Sequence, residues 1–197
     1  MVGIGGGVPS SEDIRLGDIV VSQPNGLLPG VVQYDYGKTV ESGRLQRTGT
    51  RNLPFHELLT ALSHIDSNRM TGNSGFQGLI RDVTSSNDLS SFHSPGPEPD
   101  KLFDASYRHN AAFSGCSSCD LSRLVIRKPR PYTTPKVYCG TIASSNQVMK
   151  DGLTRDKLAQ ELDILCFEME AAGLMDHFPC PIIRGICDYS DSHKNND

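Results

Sequence analysis

The sequence predicts an α/β fold, a mixed central sheet flanked by helices, in a single domain over residues 1–197 with a long loop insertion at 67–136. Three observations carry this. Residues 137–197 alternate short apolar runs with amphipathic stretches, the pattern of strands and helices sharing one sheet. Residues 1–40 hold β-rich runs bounded by turn residues. From 67 to 136 the composition shifts to Ser, Asn, Gly, Pro and Arg with only short apolar patches, too little to bury a core of its own. A length of 197 suits one domain with a sizeable core.

The elements follow in order. "MVGIGGGVP" reads as a strand end opening onto consecutive glycines, including Gly5 and Gly6. Glycine there permits a tight turn, which is the preferred reading, or a close backbone approach to an anion or sugar. The run is neither a Walker loop nor a GxGxxG fingerprint, so it does not mark a nucleotide-phosphate site. "DIVVS" and "GVVQYDYG" are strands. Residues 54–66 carry apolar side chains at Phe55, Leu58, Leu59, Leu62 and Ile65, a helical spacing with Pro54 at its start. "HSPGPEPDKL" is a loop. Then come strand "VYCGTIAS", helix "TRDKLAQEL", strand "DILCF", helix "MEAAGLMDHF" and strand "PIIRGICD".

Composition excludes several classes of function. A net charge of −4 and a pI near 5.8 argue against a nucleic-acid partner. Apolar runs fall far short of the roughly 20 residues a membrane span needs, and no signal-peptide core follows Met1. Cys139, Cys166 and Cys187 sit in strand-like runs where buried thiols are ordinary, so a reduced, cytoplasmic protein is expected. "CSSC" at Cys116–Cys119 lacks a second pair at zinc spacing and reads as a surface loop. His109, His177 and His193 show no ligand spacing, and Arg15 and Arg184 read as surface or structural partners. Neither a metal nor a cofactor is expected.

The chemistry gathers at two strand ends. In "ILCFEMEAAGL" the acids Glu168 and Glu170 flank Met169 at a strand-to-helix transition. Acids in a first helical turn suit the helix dipole. That capping role is the preferred reading from spacing alone; a carboxylate fixed at a strand end can also accept hydrogen bonds from the vicinal hydroxyls of a ribose. Asp188 closes the apolar run "IIRGIC", where ligands of open α/β sheets collect, and there it is a candidate general acid. With Ser190 and Asp191 following, it is equally a candidate helix cap.

Taken in order, "VGIGGG" with "IRLGDIVVS", "GTIASSNQVMKDG", "FEMEAAG" and "IRGICDYSDSHK" resemble the nucleoside phosphorylase and nucleosidase superfamily. Within it the resemblance is to the fungal branch found at the N-terminus of NOD-like receptor proteins. It covers residues 1–60 and 101–197. It implies a phosphorylase/hydrolase-like three-layer fold and cleavage of the N-glycosidic bond of a purine nucleoside. Met169 and Glu170 match the pair that holds the ribose, with Glu168 the acid before it. Asp188 matches the aspartate that protonates N7 of the departing purine. Val148 and Met149 match positions lining the base pocket, Phe167 lies beside it, and Gly5 and Gly6 belong to the substrate-binding glycine run. The implied partner is a purine nucleoside, with phosphate as candidate co-substrate, and a complete chain is expected to form a homo-oligomer.

Departures from the family pattern shape the expectation. Met1 and Ile4 stand where related phosphorylases place an arginine and a small hydroxyl residue to bind phosphate, which favours water as the nucleophile. Asn146 in "SSN" stands where relatives often have aspartate, a charge partner of the acid. Against that family Met1 falls at the end of a central strand, so a βαβ unit of ~30 residues and its water-activating glutamate are expected to be missing. So is a helix after "DSHKN". A sheet lacking its first strands is expected to expose an apolar edge. An inactive nucleoside-binding sensor and a nonfunctional fragment are the alternatives.

Overall fold

The computed structural model describes residues 1–72, 100–110, 115–130 and 135–193, with residues 75, 78–79, 82–83 and 112 between them. Much of the expected insertion, including most of "HSPGPEPDKL", lies outside the described residues.

Apolar β-branched runs form the main sheet. Its strands are β1 (Val2–Gly7), β2 (Ile19–Ser22), β3 (Val31–Gln33), β6 (Val137–Ser144), β7 (Ile164–Glu168) and β8 (Ile183–Asp188). A separate hairpin pairs β4 (Gly37–Thr39) with β5 (Leu45–Arg47). The helices are α1 (His56–Met70), α2 (Gly152–Leu162) and α3 (Ala171–Met175). No described helix is long and apolar enough to cross a membrane.

The sheet runs β2-β8-β1-β7-β6-β3 and is mixed: β1 is parallel to β8 and antiparallel to β7, while β6 is parallel to β7. β6 is long enough to serve two further neighbours. Its first half pairs with β2 (Val137–Gly140 against Ile19–Ser22) and its second half with β3. β2 also pairs with β8, so five strands close on one another. Among the described strands of this sheet the expected open edge is therefore closed by β2 and β6, and the strand left with one neighbour is the three-residue β3. Closure removes an edge that would otherwise template association.

The glycine run differs from its expected turn. Gly5, Gly6 and Gly7 are strand residues at the centre of the sheet, and none has a positive φ. Their small size is required by what packs on them. A Cβ on Gly5 would lie 2.8 Å from the Phe167 carbonyl oxygen, and one on Gly7 2.8 Å from Ile186 Cγ2. Glycine within a strand often marks such close approach.

Two apolar clusters form the core. One joins Ile14, Val20, Val31, Ile142, Leu165, Met175, Ile182 and Ile186; the other joins Val8, Val32, Ala143, Ala159, Leu162, Ile164 and Phe167. α2 is capped by Asp151, whose Oδ1 accepts from the Thr154 N–H at 2.7 Å, and ends at Asp163 in the left-handed conformation. α1 has the apolar spacing read from the sequence, yet none of its residues is buried. The second half of the insertion behaves differently. Leu102 and Phe103 are buried, Arg127 pairs with Asp100 at 2.9 Å, and Arg130 forks onto Asp18 at 2.8 Å. Short apolar anchors and partly buried ion pairs thus hold described residues that have little regular structure.

Candidate active site

Strand ends set the site. In β8 Arg184 and Ile186 are buried on the face that meets Gly3, Gly5 and Gly7, whereas Asp188, also buried, lies on the face of Gly6. Along the β1–β8 ladder Gly5 faces Ile186, but Gly6 faces Asp188, leaving Cys187 as a bulge. Bulges re-aim side chains and recur beside functional sites. Here the bulge sets Asp188 against Gly6, where a Cβ would collide with Ser190 Oγ and lie 2.6 Å from Asp188 Oδ1. The Asp188 carboxylate accepts from the Ser190 N–H at 2.8 Å, and the Cys187 thiol points at its other oxygen at 3.6 Å. Asp188 is buried, and Ser190 holds an uncommon positive φ of 52° just beyond it.

The structure separates the two acids at the end of β7. Glu168 is buried, and its carboxylate accepts from the backbone N–H groups of Ala171 (2.9 and 3.2 Å) and Glu170 (3.2 Å), satisfying the start of α3. The same carboxylate is bonded to Arg184. Glu170 makes no capping bond of its own. Its side chain is 59% exposed and accepts from Arg184 Nη2 at 2.9 Å. One fully buried guanidinium thus ties Glu168 under the sheet and steers Glu170 outward. Arg184 is the structural ion-pair residue the sequence anticipated.

All nine candidate residues line one cleft of ≈ 180 Å³: Gly5, Gly6, Val148, Met149, Phe167, Glu168, Met169, Glu170 and Asp188. Gln147, Ser190, Cys187 and Ile4 complete it. Phe167 is fixed from behind by an edge-on contact with Tyr34, 5.3 Å between ring centroids. The cleft therefore has an apolar wall, a buried carboxylate at the end of β8 and an exposed, arginine-held carboxylate at the end of β7. Among its described lining residues there is no lysine or arginine. Asn146 is not among the lining residues; its N–H donates to Asp35 at 2.9 Å. A larger cavity of ≈ 250 Å³, around Ser11, Gln23 and Tyr138, lies away from these acids.

Sequence reasoning missed the contributions of Gln147, Cys187 and Ser190. For Ser190 the signal was available, since the "DYS" that follows the strand is an Asx-type turn in which the aspartate accepts two residues on. It also missed a second cluster. Cys116, Cys119 and His109 bring a ligand atom each within 4.8 Å of one another, and His193 Nδ1 lies 3.6 Å from both sulfurs. The reading of "CSSC" as a bare loop and of these histidines as unrelated is corrected by that convergence. It was invisible because Cys116 and His193 are 77 positions apart.

No protein-family model matches the chain. It is 41% identical over 196 residues to a nucleotide-binding leucine-rich repeat (NLR)-like protein of Hyaloscypha variabilis, covering 99% of this chain and 19% of that protein. The chain thus spans about a fifth of the length of the curated relative it matches. Among solved structures it is similar to the 5′-methylthioadenosine/S-adenosylhomocysteine nucleosidase of Helicobacter pylori complexed with a substituted pyrrolidin-3-ol (15% identity, TM-score 0.48, 97% of this chain and 56% of that one). It is similar also to the Neisseria meningitidis nucleosidase in complex with methylthio-immucillin-A (14%, 0.47, 97% and 57%) and to the futalosine hydrolase of Helicobacter pylori (15%, 0.46, 98% and 57%). In sequence, then, the chain resembles one stretch of a fungal NLR-like protein, and the solved structures it is similar to include nucleosidases and a futalosine hydrolase.

Proposed function

We propose that the cleft binds a purine nucleoside and cleaves its N-glycosidic bond, with water rather than phosphate as the nucleophile. The observation that carries this is the pairing, across one cleft, of buried Asp188 with an outward-facing Glu170 held by Arg184. Breaking the bond from C1′ to a purine leaves electron density on the base and positive charge on the sugar. Asp188 donates a proton to N7 of the departing base, so it leaves neutral. Glu170 accepts from the ribose 2′ and 3′ hydroxyls and fixes the sugar against that acid. Val148, Met149 and Phe167 supply the apolar wall for the base, and Gly5 and Gly6 let it approach the sheet. Water adds to C1′ and releases its proton to solvent. Hydrolysis is favoured because Ile4 and the other lining residues offer no cationic side chain to hold phosphate.

The second reading is a nucleoside-binding sensor without turnover, which the NLR-like character of the sequence relative favours. A single experiment separates the two. Base release from inosine, adenosine and 5′-methylthioadenosine is followed in phosphate-free buffer for the parent and for Asp188→Asn. The enzyme reading expects turnover in the parent and a loss of about 10²–10⁴-fold in the variant. A nitrophenyl riboside, whose leaving group needs no proton, should be spared. Saturable nucleoside binding without base release in the parent would establish the sensor instead. Turnover that requires phosphate and yields ribose 1-phosphate would replace hydrolysis by phosphorolysis.

A further inference from the structure

We propose that Cys116, Cys119, His109 and His193 bind one zinc ion that staples the insertion to the loop following Asp188. This reading does not depend on what the cleft binds.

The distances from His193 to the two sulfurs are those of a tetrahedral site. Zinc bonds of ~2.3 Å to sulfur and ~2.0–2.1 Å to nitrogen, opened at a tetrahedral angle, place sulfur and nitrogen about 3.6 Å apart. His193 Nδ1 lies 3.6 Å from the sulfurs of both Cys116 and Cys119. A ring nitrogen of His109 lies within 4.8 Å of the same two sulfurs. Two thiols separated by two residues, joined by two imidazoles, make a Cys₂His₂ donor set. Soft sulfur with borderline nitrogen and four protein ligands favours zinc over the hard cations magnesium and calcium.

The surroundings prepare these atoms as ligands. A carbonyl oxygen can only accept, so the contact of His193 Nε2 with the Tyr107 carbonyl at 2.9 Å makes Nε2 the protonated nitrogen. The lone pair then sits on Nδ1, the atom facing the sulfurs. His109 Nε2 is held in the same way by the Gly115 carbonyl at 2.8 Å. Such outer contacts to carbonyls are the usual means by which proteins orient metal-binding imidazoles. The His193 ring also stacks on Phe103 and on Tyr107, with centroids 4.3 and 5.0 Å away, and the His193 backbone N–H donates to Asp191 at 2.8 Å. A histidine held by these contacts has little freedom left to lose when a metal binds.

The placement gives the site a task. His109, Cys116 and Cys119 come from the insertion, whereas His193 comes from the loop that leaves β8 directly after Asp188. The His109 N–H also donates to Ser192 Oγ at 2.9 Å. The ion would therefore bridge a segment poor in regular structure to the residues that position the buried carboxylate of the cleft. With all four positions filled by protein, its role is structural.

The test uses the full 197-residue chain produced with zinc, desalted under reducing conditions and assayed by elemental mass spectrometry. About one zinc per chain is expected. Replacement of zinc by Co²⁺ should give the sulfur-to-cobalt charge-transfer band and the intense visible bands of a tetrahedral thiolate site. The Cys116→Ser/Cys119→Ser variant should lose the bound zinc and that spectrum. His193→Gln should weaken binding by more than the ~10–100-fold that loss of an outer contact costs. A chelator should lower the melting temperature of the parent but not of the double-serine variant. Absence of stoichiometric zinc together with a featureless Co²⁺ titration of the parent would overturn the proposal, and needs no variant to fold. So would a Cys116–Cys119 disulfide that persists under reductant, or a double-serine variant that keeps its zinc.

Discussion

Replacing Arg184 by methionine tests the polar heart of the site without reference to catalysis. The Arg184 and Glu168 side chains are 2% and 1% exposed and directly bonded, so water cannot take over from either partner. Breaking a buried pair from one side typically costs about 3–5 kcal/mol, because the remaining charge is stranded. Glu168 would keep its N–H contacts to Glu170 and Ala171, which places the loss near the lower end, about 3 kcal/mol. The contact of Arg184 with the exposed Glu170 adds less than about 1 kcal/mol. Against a total stability of roughly 5–15 kcal/mol this is a large fraction. Guanidinium unfolding followed by circular dichroism measures it, with the slope checked for two-state behaviour. Glu168→Gln/Arg184→Met, which removes both charges, should recover most of the loss. A single-variant loss below about 1 kcal/mol would refute the reasoning. A double variant no more stable than Arg184→Met would do the same.

Other substitutions probe separate parts. Gly6→Ala should push the Asp188 carboxylate and Ser190 out of register, and a shift near 1 Å lowers base release about 10²-fold; unchanged turnover would show that the strand yields instead. Glu170→Gln removes a charged acceptor worth roughly 1.5–3 kcal/mol. kcat/KM for a nucleoside should then fall at least about tenfold, and equal kinetics would leave Glu170 only a strand-end acid. Asp151→Ala should destabilise α2 by about 1 kcal/mol at neutral pH. Hydrogen bonding from Thr154 holds the Asp151 carboxyl below its usual 3.8. The cap's contribution is therefore present above 3.8 and fades as pH falls through the depressed value. Parent and variant unfolding curves should converge in acid, and a gap that persists there would assign the effect to packing.

The legible part of this molecule is the part written locally. "VYCGTIAS", "DILCF" and "PIIRGICD" read as strands because apolar runs sit between turn residues; β6 and β8 lie within them, and β7 extends one residue beyond, to Glu168. The candidate residues fall on one cleft because the acids end two of those strands. Glycine misled: Gly5–Gly7 look like a turn in isolation, and only the neighbouring Asp188, Ser190 and Ile186 explain why a central strand needs them. The pairing of β2 with both β6 and β8 has no local signature. Nor had the burial of Phe103, an anchor inside a stretch whose composition argues against a core. In α1 the pattern was right about conformation and silent about whether anything covers it.

The way the sheet closes dictates an order of assembly on the ribosome. Among the described strands, β1 pairs only with β7 and β8, β2 only with β6 and β8, and β3 only with β6. None of the first three strands can therefore pair with another of the three. At ~5–20 residues per second, synthesis of residues 34–136 leaves them waiting on the order of 5–20 s for their first partner. Valine-rich β2 and β3 spend that interval as unpaired, adhesive segments, the condition under which chaperones bind nascent chains. Pairings so distant in sequence also make for slow refolding, because loop closure precedes any reward. The latest of these strands to emerge, β8, joins β1 to β2, so the carboxylate at its tip is seated only after the other five described strands of the sheet have been made.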